Sequence, residues 1–179
     1  MDYYKAIQYL AVVDREDNII GKMEKWEAHK KGVLHRGYTA ILEFENNIIL
    51  QHRKHPVFDG VYDLSFSSHE FYQGVKLQPD EEAIYEGLKR EWGVDKFEIR
   101  NLKFLNTVYY KEKDIKSDYF EHEIDYIYVV ELNKMPTANP DFAYGQKVIS
   151  KATVASDIAK LGVPLAPWVE KILDAKLIP

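Results

Sequence analysis

The 179 residues suffice for one ordinary domain with a sizeable core, and an apolar content of 46% is typical of a globular rather than a disordered chain. A formal net charge of −5 without a basic cluster argues against nucleic-acid binding, and the lack of cysteine excludes disulfides, thiolate zinc sites and thiol nucleophiles. Because no long apolar run and no signal-peptide pattern is found, we expect a cytoplasmic protein that has no membrane partner.

Apolar periodicity, turn signals and helix caps predict the elements of the fold in chain order. The first half contains a strand at 9–13 with its hairpin partner at 19–21, a helix at 24–31, strands at 34–44, 48–53 and 61–67, and a loop at 73–79. The next helix starts at the N-cap Asp80, buries Ile84, Leu88 and Trp92, and ends at Gly93. The rest contains a strand at 97–110, a charged loop at 111–118, strands at 120–132 and 144–149, and helices at 153–161 and 164–177. Strands outnumber helices and do not alternate with them. This pattern predicts an α+β fold, an α/β/α sandwich around a mixed β-sheet, in a single domain of residues 1–179.

Three acids lie on one face of the strand predicted at 120–132. Residues two apart in a strand point the same way, so Glu121, Glu123 and Asp125 share a side. One interpretation is a solvated strand end, since most acids are at the surface. The other is that a cation lies between them.

Three histidines are placed where they can join these acids. His29 and His35 lie on either side of a short loop, and His69 follows a predicted strand. With Glu121 and Glu123 they suit an octahedral site for Mn²⁺, Mg²⁺ or Zn²⁺, and imidazole favours the transition metals. Each histidine alone is more often a surface or core residue than a ligand. The remaining histidines, which we treat as structural, are His52, His55 and His122.

The helix before Gly93 carries Glu91 in its last turn. This residue is either a surface glutamate or a ligand for a second Mg²⁺ that bridges to a diphosphate.

The end of this helix resembles the tail of the Nudix box, G-x5-E-x7-R-E-U-x-E-E-x-G-U, in which U is aliphatic. Residues 86–94 read E-G-L-K-R-E-W-G-V. The positions that match are Leu88, Glu91, Gly93 and Val94. Glu86-Gly87 stands where the family has Arg-Glu, and Arg90 replaces the first of the later glutamates. A standard Nudix hydrolase holds its metals with several carboxylates on this helix, and this helix keeps one.

Nearly the whole chain resembles the type I isopentenyl diphosphate isomerases of the Nudix superfamily. The segments that carry the resemblance are 13–21, 24–29 (EKWEAH), 34–36 (LHR), 60–62 (GVY), 65–69 (SFSSH), 121–123 (EHE) and 166–168 (APW). The resemblance implies a Nudix fold and a metal site whose ligands are His29, His35, His69, Glu121 and Glu123.

The resemblance also implies a diphosphate site and a prenyl pocket. Glu91 is expected to bind the diphosphate-linked Mg²⁺, and Lys25 and Arg53 are expected to hold the diphosphate itself. Tyr110 and Trp168 are expected to line the prenyl pocket, where Trp168 faces the developing carbocation. The partner is then a small diphosphate, and the sequence does not indicate an oligomeric state.

Two departures from the isomerase pattern concern chemistry. The family pairs a glutamate, here Glu123, with a cysteine whose position is occupied by Ser67. A thiol exchanges protons near neutral pH, whereas a serine hydroxyl needs a neighbouring base. We therefore expect Ser67 to slow or abolish isomerisation. The second departure is Gly87, where the family often has an arginine for the diphosphate, beside a two-residue shortening in 54–58.

Three hypotheses follow for the function. The first is a metal-dependent isomerase of isopentenyl and dimethylallyl diphosphate, with Ser67, Glu123 and Tyr110 as catalytic residues. The second is a Nudix hydrolase that cleaves a nucleoside or prenyl diphosphate. The third is a non-catalytic module that binds such diphosphates.

Overall fold

The computed structural model describes residues 3–178. The strands in this range are β1 (Tyr9–Val13), β2 (Ile19–Glu24), β3 (His35–Phe44), β4 (Asn47–Arg53), β5 (Tyr62–Asp63), β6 (Phe66–Ser68), β7 (Tyr72–Gln73), β8 (Lys76–Leu77), β9 (Ile99–Lys113), β10 (Phe120–Leu132) and β11 (Ala143–Ser150). The helices are α1 (Lys25–Lys31), α2 (Asp80–Trp92), α3 (Val154–Ile158) and α4 (Pro167–Asp174), and single 3₁₀ turns occupy Tyr3–Lys5, Lys96–Glu98 and Lys151–Thr153.

Strand β3 is the centre of a mixed sheet. It pairs in parallel with β10, which in turn pairs antiparallel with β9. On its other edge β3 contacts β1, β6 and β4 in succession, and β11 follows β4. The parallel register sets Glu123 opposite His35, and the antiparallel register sets Glu123 opposite Tyr110. Pairing at β3 therefore brings predicted site residues from distant parts of the chain to one end of the sheet.

The two faces of the sheet support two apolar cores. Ile41 belongs to one core and its neighbour Leu42 to the other, as the alternation of a strand requires. The stripe of α2 that was predicted to be buried packs with Leu42, while α4 packs through Trp168 with Ile41. The predicted α/β/α sandwich around a mixed sheet is confirmed. Among residues 3–178, no helix has the length and apolar character that crossing a bilayer requires.

Local sequence explains where α1 begins and ends. The Glu24 side chain accepts a hydrogen bond from the Glu27 backbone N–H at 2.9 Å, which caps the first turn. Gly32 ends the helix with φ +61°, a left-handed conformation that glycine adopts without strain. This short helix lies beside β10 and presents His29 from its last turn.

The prediction of one strand over 61–67 is wrong. The segment is split into β5, which pairs with β4, and β6, which pairs with β3. Ser65 breaks it with φ +71°, and its hydroxyl donates to Ile49 O and accepts from Leu42 N. Those two bonds stabilise the left-handed conformation, which turns the chain from one strand to the next.

Other element boundaries also differ from the prediction. The expected loop at 73–79 contains most of the β7–β8 hairpin, and Pro79 rather than Asp80 is the N-cap of α2. Asp80 is the first helical residue, and its carboxylate accepts the Tyr128 hydroxyl instead of a backbone N–H. The helices predicted at 153–161 and 164–177 are both shorter than expected. The first spans Val154–Ile158, and the second begins only at Pro167 and ends at Asp174.

Candidate active site and metal centre

The five residues predicted as metal ligands converge in the structure. His29 comes from α1, His35 from the start of β3, His69 from just after β6, and Glu121 and Glu123 from β10. One ligand atom from each lies within 4.8 Å of all the others, and every one of the five residues is buried. The cluster contains three nitrogen and two oxygen donors.

Hydrogen bonds fix the orientation of two of the imidazoles. The Nδ1 atom of His29 lies 2.7 Å from Lys25 O, and the Nδ1 atom of His35 lies 2.7 Å from Val33 O. A carbonyl oxygen only accepts, so each Nδ1 carries the hydrogen and each Nε2 keeps its lone pair. Both Nε2 atoms are thus prepared as ligands.

Several donor atoms of the cluster face each other without a hydrogen bond. His29 Nε2, His35 Nε2 and Glu121 Oε2 are buried and have no hydrogen-bond partner, although His29 Nε2 lies only 3.2 Å from Glu121 Oε2. Unpaired buried polar atoms are costly, and here they point at a common centre. The residues present therefore fit a divalent cation, which would satisfy these atoms together.

Glu123 is the electrostatic centre of the cluster. Its Oε1 lies 2.8 Å from His69 Nε2 and 3.3 Å from His35 Nε2, and its Oε2 accepts the Tyr110 hydroxyl. Burial alone would raise the pKa of Glu123, yet the close contacts with the His35 and His69 rings hold that pKa well below its usual range. Burial lowers the pKa of His69 to about 3, so this ring is neutral and able to bind a metal near neutral pH.

Glu91 lies outside the group of five. It lines the same pocket as Ser67 and Glu123, but its carboxylate accepts Arg90 Nη2 at 2.8 Å and Gln51 Nε2 at 3.2 Å. The structure therefore places this glutamate in the pocket that a second ion could enter, and the Arg90 guanidinium already lies beside its carboxylate.

A buried chain of polar side chains runs from Ser67 in two directions. The hydroxyls of Ser67 and Thr39 share a hydrogen bond at 2.8 Å, and Thr39 Oγ1 lies 2.8 Å from Asp125 Oδ2. In the other direction, Ser67 Oγ donates to Asp63 Oδ1 at 3.3 Å. Burial, reinforced by the charge of Glu123, raises the pKa of Asp125 well above its usual range.

Asp63 is fully buried and joins three predicted site residues. Its Oδ2 accepts Arg53 Nη1 at 2.9 Å, and its Oδ1 accepts Trp168 Nε1 at 2.8 Å as well as the Ser67 hydroxyl. The Trp168 ring stacks on Tyr110 at 5.8 Å between centroids, and the Arg53 guanidinium lies 5.0 Å from the indole. The start of α4 thus forms one wall of the pocket.

Lys25 lines the pocket, and Arg90 bonds to Glu91, which also lines it. Lys25 is 2% exposed, and its Nζ lies 4.8 Å from the Trp26 ring and 5.1 Å from the Tyr3 ring. The Arg90 guanidinium lies 4.0 Å above the same Tyr3 ring and bonds to Glu91. The N-terminal 3₁₀ turn therefore packs over both cations.

Gly87 cannot carry a side chain without rearrangement of its neighbours. A Cβ atom there would lie 2.5 Å from Phe66 Cε2 and 2.8 Å from the Tyr38 hydroxyl oxygen. Real contacts are not this short, so the close packing of α2 on β3 and β6 explains the glycine.

Comparison with known proteins gives relatives of one kind. The chain is 30% identical to isopentenyl-diphosphate Delta-isomerase 1 of Photorhabdus laumondii over 172 residues, which cover 92% of each chain. It is 28% identical to isopentenyl-diphosphate Delta-isomerase 1 of Mus musculus over 195 residues, which cover 97% of this chain and 86% of the relative. The chain belongs to the isopentenyl-diphosphate isomerase family. No family model matches it.

Solved structures agree on the architecture. A MutT Nudix hydrolase from Burkholderia pseudomallei superposes with a TM-score of 0.58 at 18% identity, over 79% of this chain and 96% of that one. At this identity the likeness concerns the fold, which is the Nudix fold that the sequence predicted.

Sequence reasoning missed the roles of three residues that bond to the pocket lining. Asp63 and Thr39 were not singled out, although Asp63 lies four residues before Ser67. Arg90, directly before Glu91, was noted only as a departure from the Nudix box. The carboxylate within the predicted strand at 61–67 was a usable signal for Asp63. Of the histidines treated as structural, His55 lines the pocket but lies outside the five-residue cluster.

Proposed function

We propose that the protein is a metal-dependent isomerase that interconverts isopentenyl and dimethylallyl diphosphate. The observation that carries the proposal is the five-donor cluster, whose unpaired Nε2 and carboxylate atoms border the same pocket as Ser67 and Tyr110. The isomerases of mouse and Photorhabdus support the assignment of this chemistry to the family's pocket.

The ligands of the proposed metal site are His29, His35, His69, Glu121 and Glu123, for Mn²⁺, Mg²⁺ or Zn²⁺. A bound ion would supply fixed positive charge, which neutralises the two buried carboxylates and orients their free oxygens. The tautomers that Lys25 O and Val33 O impose support this role, because they leave each Nε2 free as a ligand.

The diphosphate end of the substrate is assigned to the cationic side of the pocket. Lys25 supplies a compact ammonium, and Glu91 would contact an Mg²⁺ that arrives with the diphosphate. Arg53 contributes less net charge than the resemblance implies, because Asp63 neutralises it at 2.9 Å. Arg90 pairs with Glu91 at 2.8 Å in the same way and also bonds to Ser68 Oγ, at 3.5 Å.

The prenyl end is assigned to the stacked pair of Trp168 and Tyr110. The indole face offers the negative side of its quadrupole to a carbocation, which is the intermediate expected when an alkene is protonated. The hydrogen bond to Asp63 fixes the rotation of this ring. Both rings are buried, so they exclude water that would otherwise trap the cation.

Two sets of groups are available for the proton movements. Glu123, which accepts a hydrogen bond from the Tyr110 hydroxyl, serves one carbon of the substrate, and Ser67 serves the other. Burial and the nearby charge of Glu123 raise the pKa of Tyr110 well above its ordinary value, so this phenol keeps its hydrogen at neutral pH. Tyr110 is thus assigned as the hydrogen-bond donor that holds Glu123.

Incubation with Mn²⁺ or Mg²⁺ and a panel of prenyl and nucleoside diphosphates tests the proposal. Double-bond migration is followed by NMR in D₂O, where deuterium enters the product, and phosphate release is measured in parallel. Migration without phosphate release is expected, and Glu121→Gln is expected to lower it about 100-fold or more. The matched control is Glu43→Gln, since Glu43 is also a buried carboxylate and pairs with Lys151 away from the pocket. Phosphate release without migration would instead favour a hydrolase, and metal binding without either would favour a binding module.

A further inference from the structure

The hydroxyl of Ser67 has a carboxylate directly behind it. A serine is a weak base and a weak acid, so it cannot accept a proton from a substrate carbon and keep it. Asp63 Oδ1 accepts the Ser67 hydroxyl at 3.3 Å, and this carboxylate is fully buried. The Asp63 carboxylate is thus placed to act as a base for the Ser67 hydroxyl.

We propose that Asp63 is the proton acceptor that makes Ser67 competent in place of a thiol. The proposal rests on the proposed isomerase function and names the residue through which Ser67 acts in it. Because Asp63 touches no reacting carbon, it is a positioning residue, while Ser67 is the catalytic one.

The proton balance of the step is simple. A proton leaves the carbon next to the cationic centre, and the electron pair of that C–H bond forms the new double bond. The proton binds to Ser67 Oγ while the original hydroxyl hydrogen passes to Asp63 Oδ1. Ser67 ends as a neutral hydroxyl and Asp63 as a carboxylic acid. Before the next turnover Asp63 releases its proton to solvent, and the group that protonated the other substrate carbon takes up one proton from solvent.

The surroundings of Asp63 suit this task. Arg53 Nη1 lies 2.9 Å from Oδ2 and stabilises the ionised carboxylate before the step. Trp168 Nε1 donates to the same Oδ1 that faces Ser67, which holds the carboxylate in one rotamer. Thr39 is the other acceptor within reach of Ser67, at 2.8 Å, but a hydroxyl cannot retain the proton. Asp63 is therefore the group in this network that faces Ser67 and can retain the proton.

A double-mutant cycle tests the relay through its dependence on Ser67. We expect Asp63→Asn and Ser67→Ala each to lower kcat for double-bond migration about 100-fold, with KM changed less than about threefold. The double variant is expected to be no slower than either single variant, because both remove one relay. If Asp63 only maintained structure, the two losses would multiply.

A second cycle uses a side chain that needs no relay. In a Ser67→Cys background the thiol can ionise by itself, so Asp63→Asn is expected to cost less than about fivefold there. An equal loss in the Ser67 and Cys backgrounds would overturn the relay. Thermal melting with Mn²⁺ shows whether each variant is folded, and Glu43→Gln controls for loss of a buried carboxylate.

The outcomes separate the relay from the function on which it rests. A wild-type protein that moves the double bond, with losses that multiply, would overturn the relay and leave the isomerase standing. A wild-type protein that binds Mn²⁺ without moving the double bond would overturn both.

Discussion

The indole N–H of Trp168 donates to Asp63 Oδ1 at 2.8 Å, across 105 residues of sequence. Through this bond the C-terminal helix α4 is attached to β5, and both residues are buried. The pocket wall is therefore held by this side-chain bond together with the backbone bonds that join Tyr62 to Pro164 and Ala166.

Loss of this bond is expected to destabilise the fold. Trp168→Phe keeps an aromatic ring but leaves one donor fewer on a buried carboxylate, and we expect a loss of about 1 to 3 kcal/mol in the free energy of unfolding. Urea denaturation measures it. Trp26→Phe is the matched control, since Trp26 Nε1 donates at 2.9 Å to the backbone oxygen of Tyr4 in a partly exposed setting. The control is expected to lose less than Trp168→Phe, and a larger loss would contradict the role given to Asp63.

Metal binding should be visible without any substrate. Mn²⁺ at about 100 times its dissociation constant is expected to raise the free energy of unfolding by about 2.7 kcal/mol. His35→Gln removes a buried ligand atom and is expected to abolish most of this gain, as measured by thermal shift and by the EPR signal of free Mn²⁺. His52→Gln, outside the cluster, should keep the gain. An equal gain in both variants would place the ion elsewhere.

The packing at Gly87 can be tested by a single methyl group. Gly87→Ala gains about 1 kcal/mol of helix propensity, but the contacts with Phe66 and Tyr38 are expected to cost more. We expect a net loss of about 1 to 2 kcal/mol in urea denaturation. Gly145→Ala is the control, because nothing lies within 4 Å of its added Cβ. A more stable Gly87→Ala would show that α2 has room for a larger residue.

Stability is expected to depend on pH through His55. Burial, with the nearby charges of Arg53 and Lys25, lowers the pKa of His55 well below its ordinary value of 6.5. Below about pH 6.5 the His55 ring therefore binds a proton in the unfolded chain but not in the folded chain, so stability falls as the pH drops. His55→Gln should reduce this slope by up to about 1.4 kcal/mol per pH unit in metal-free protein. An unchanged slope between pH 6.5 and 4 would contradict the buried neutral ring.

Restoring a thiol is expected to increase isomerisation. Ser67→Cys supplies a group that exchanges protons near neutral pH, and we expect a gain of about tenfold in the rate of double-bond migration. Deuterium incorporation by NMR measures it. Ser68→Cys, one residue away on the same strand, controls for the mere presence of a thiol. No gain at position 67 would count against the assignment of that position to proton transfer.

Sequence patterns were informative where one periodicity governs a segment. The strands 9–13 and 120–132 were predicted with their observed bounds, and Ile84, Leu88 and Trp92 form the expected buried stripe. The convergence of the five candidate ligands followed from residue type and resemblance, because histidine and glutamate are uncommon in a core.

Features that depend on distant partners could not be predicted in this way. Ser65 breaks a strand because backbone groups of Leu42 and Ile49 bind its hydroxyl. Asp63 gains its role from Trp168 and Arg53, which no local pattern connects to it. The glycine at position 87 has its cause in the packing of Phe66.

The parallel pairing of β3 with β10 sets Glu123 beside His35, so ligands from the first and last thirds of the chain meet only when that pairing forms. Such pairing closes a long loop and is slow to establish during folding. A nascent chain that lacks β10 therefore has the three imidazoles of the five-residue cluster but neither of its carboxylates. Ion binding at the proposed site should thus report that β3 and β10 have paired.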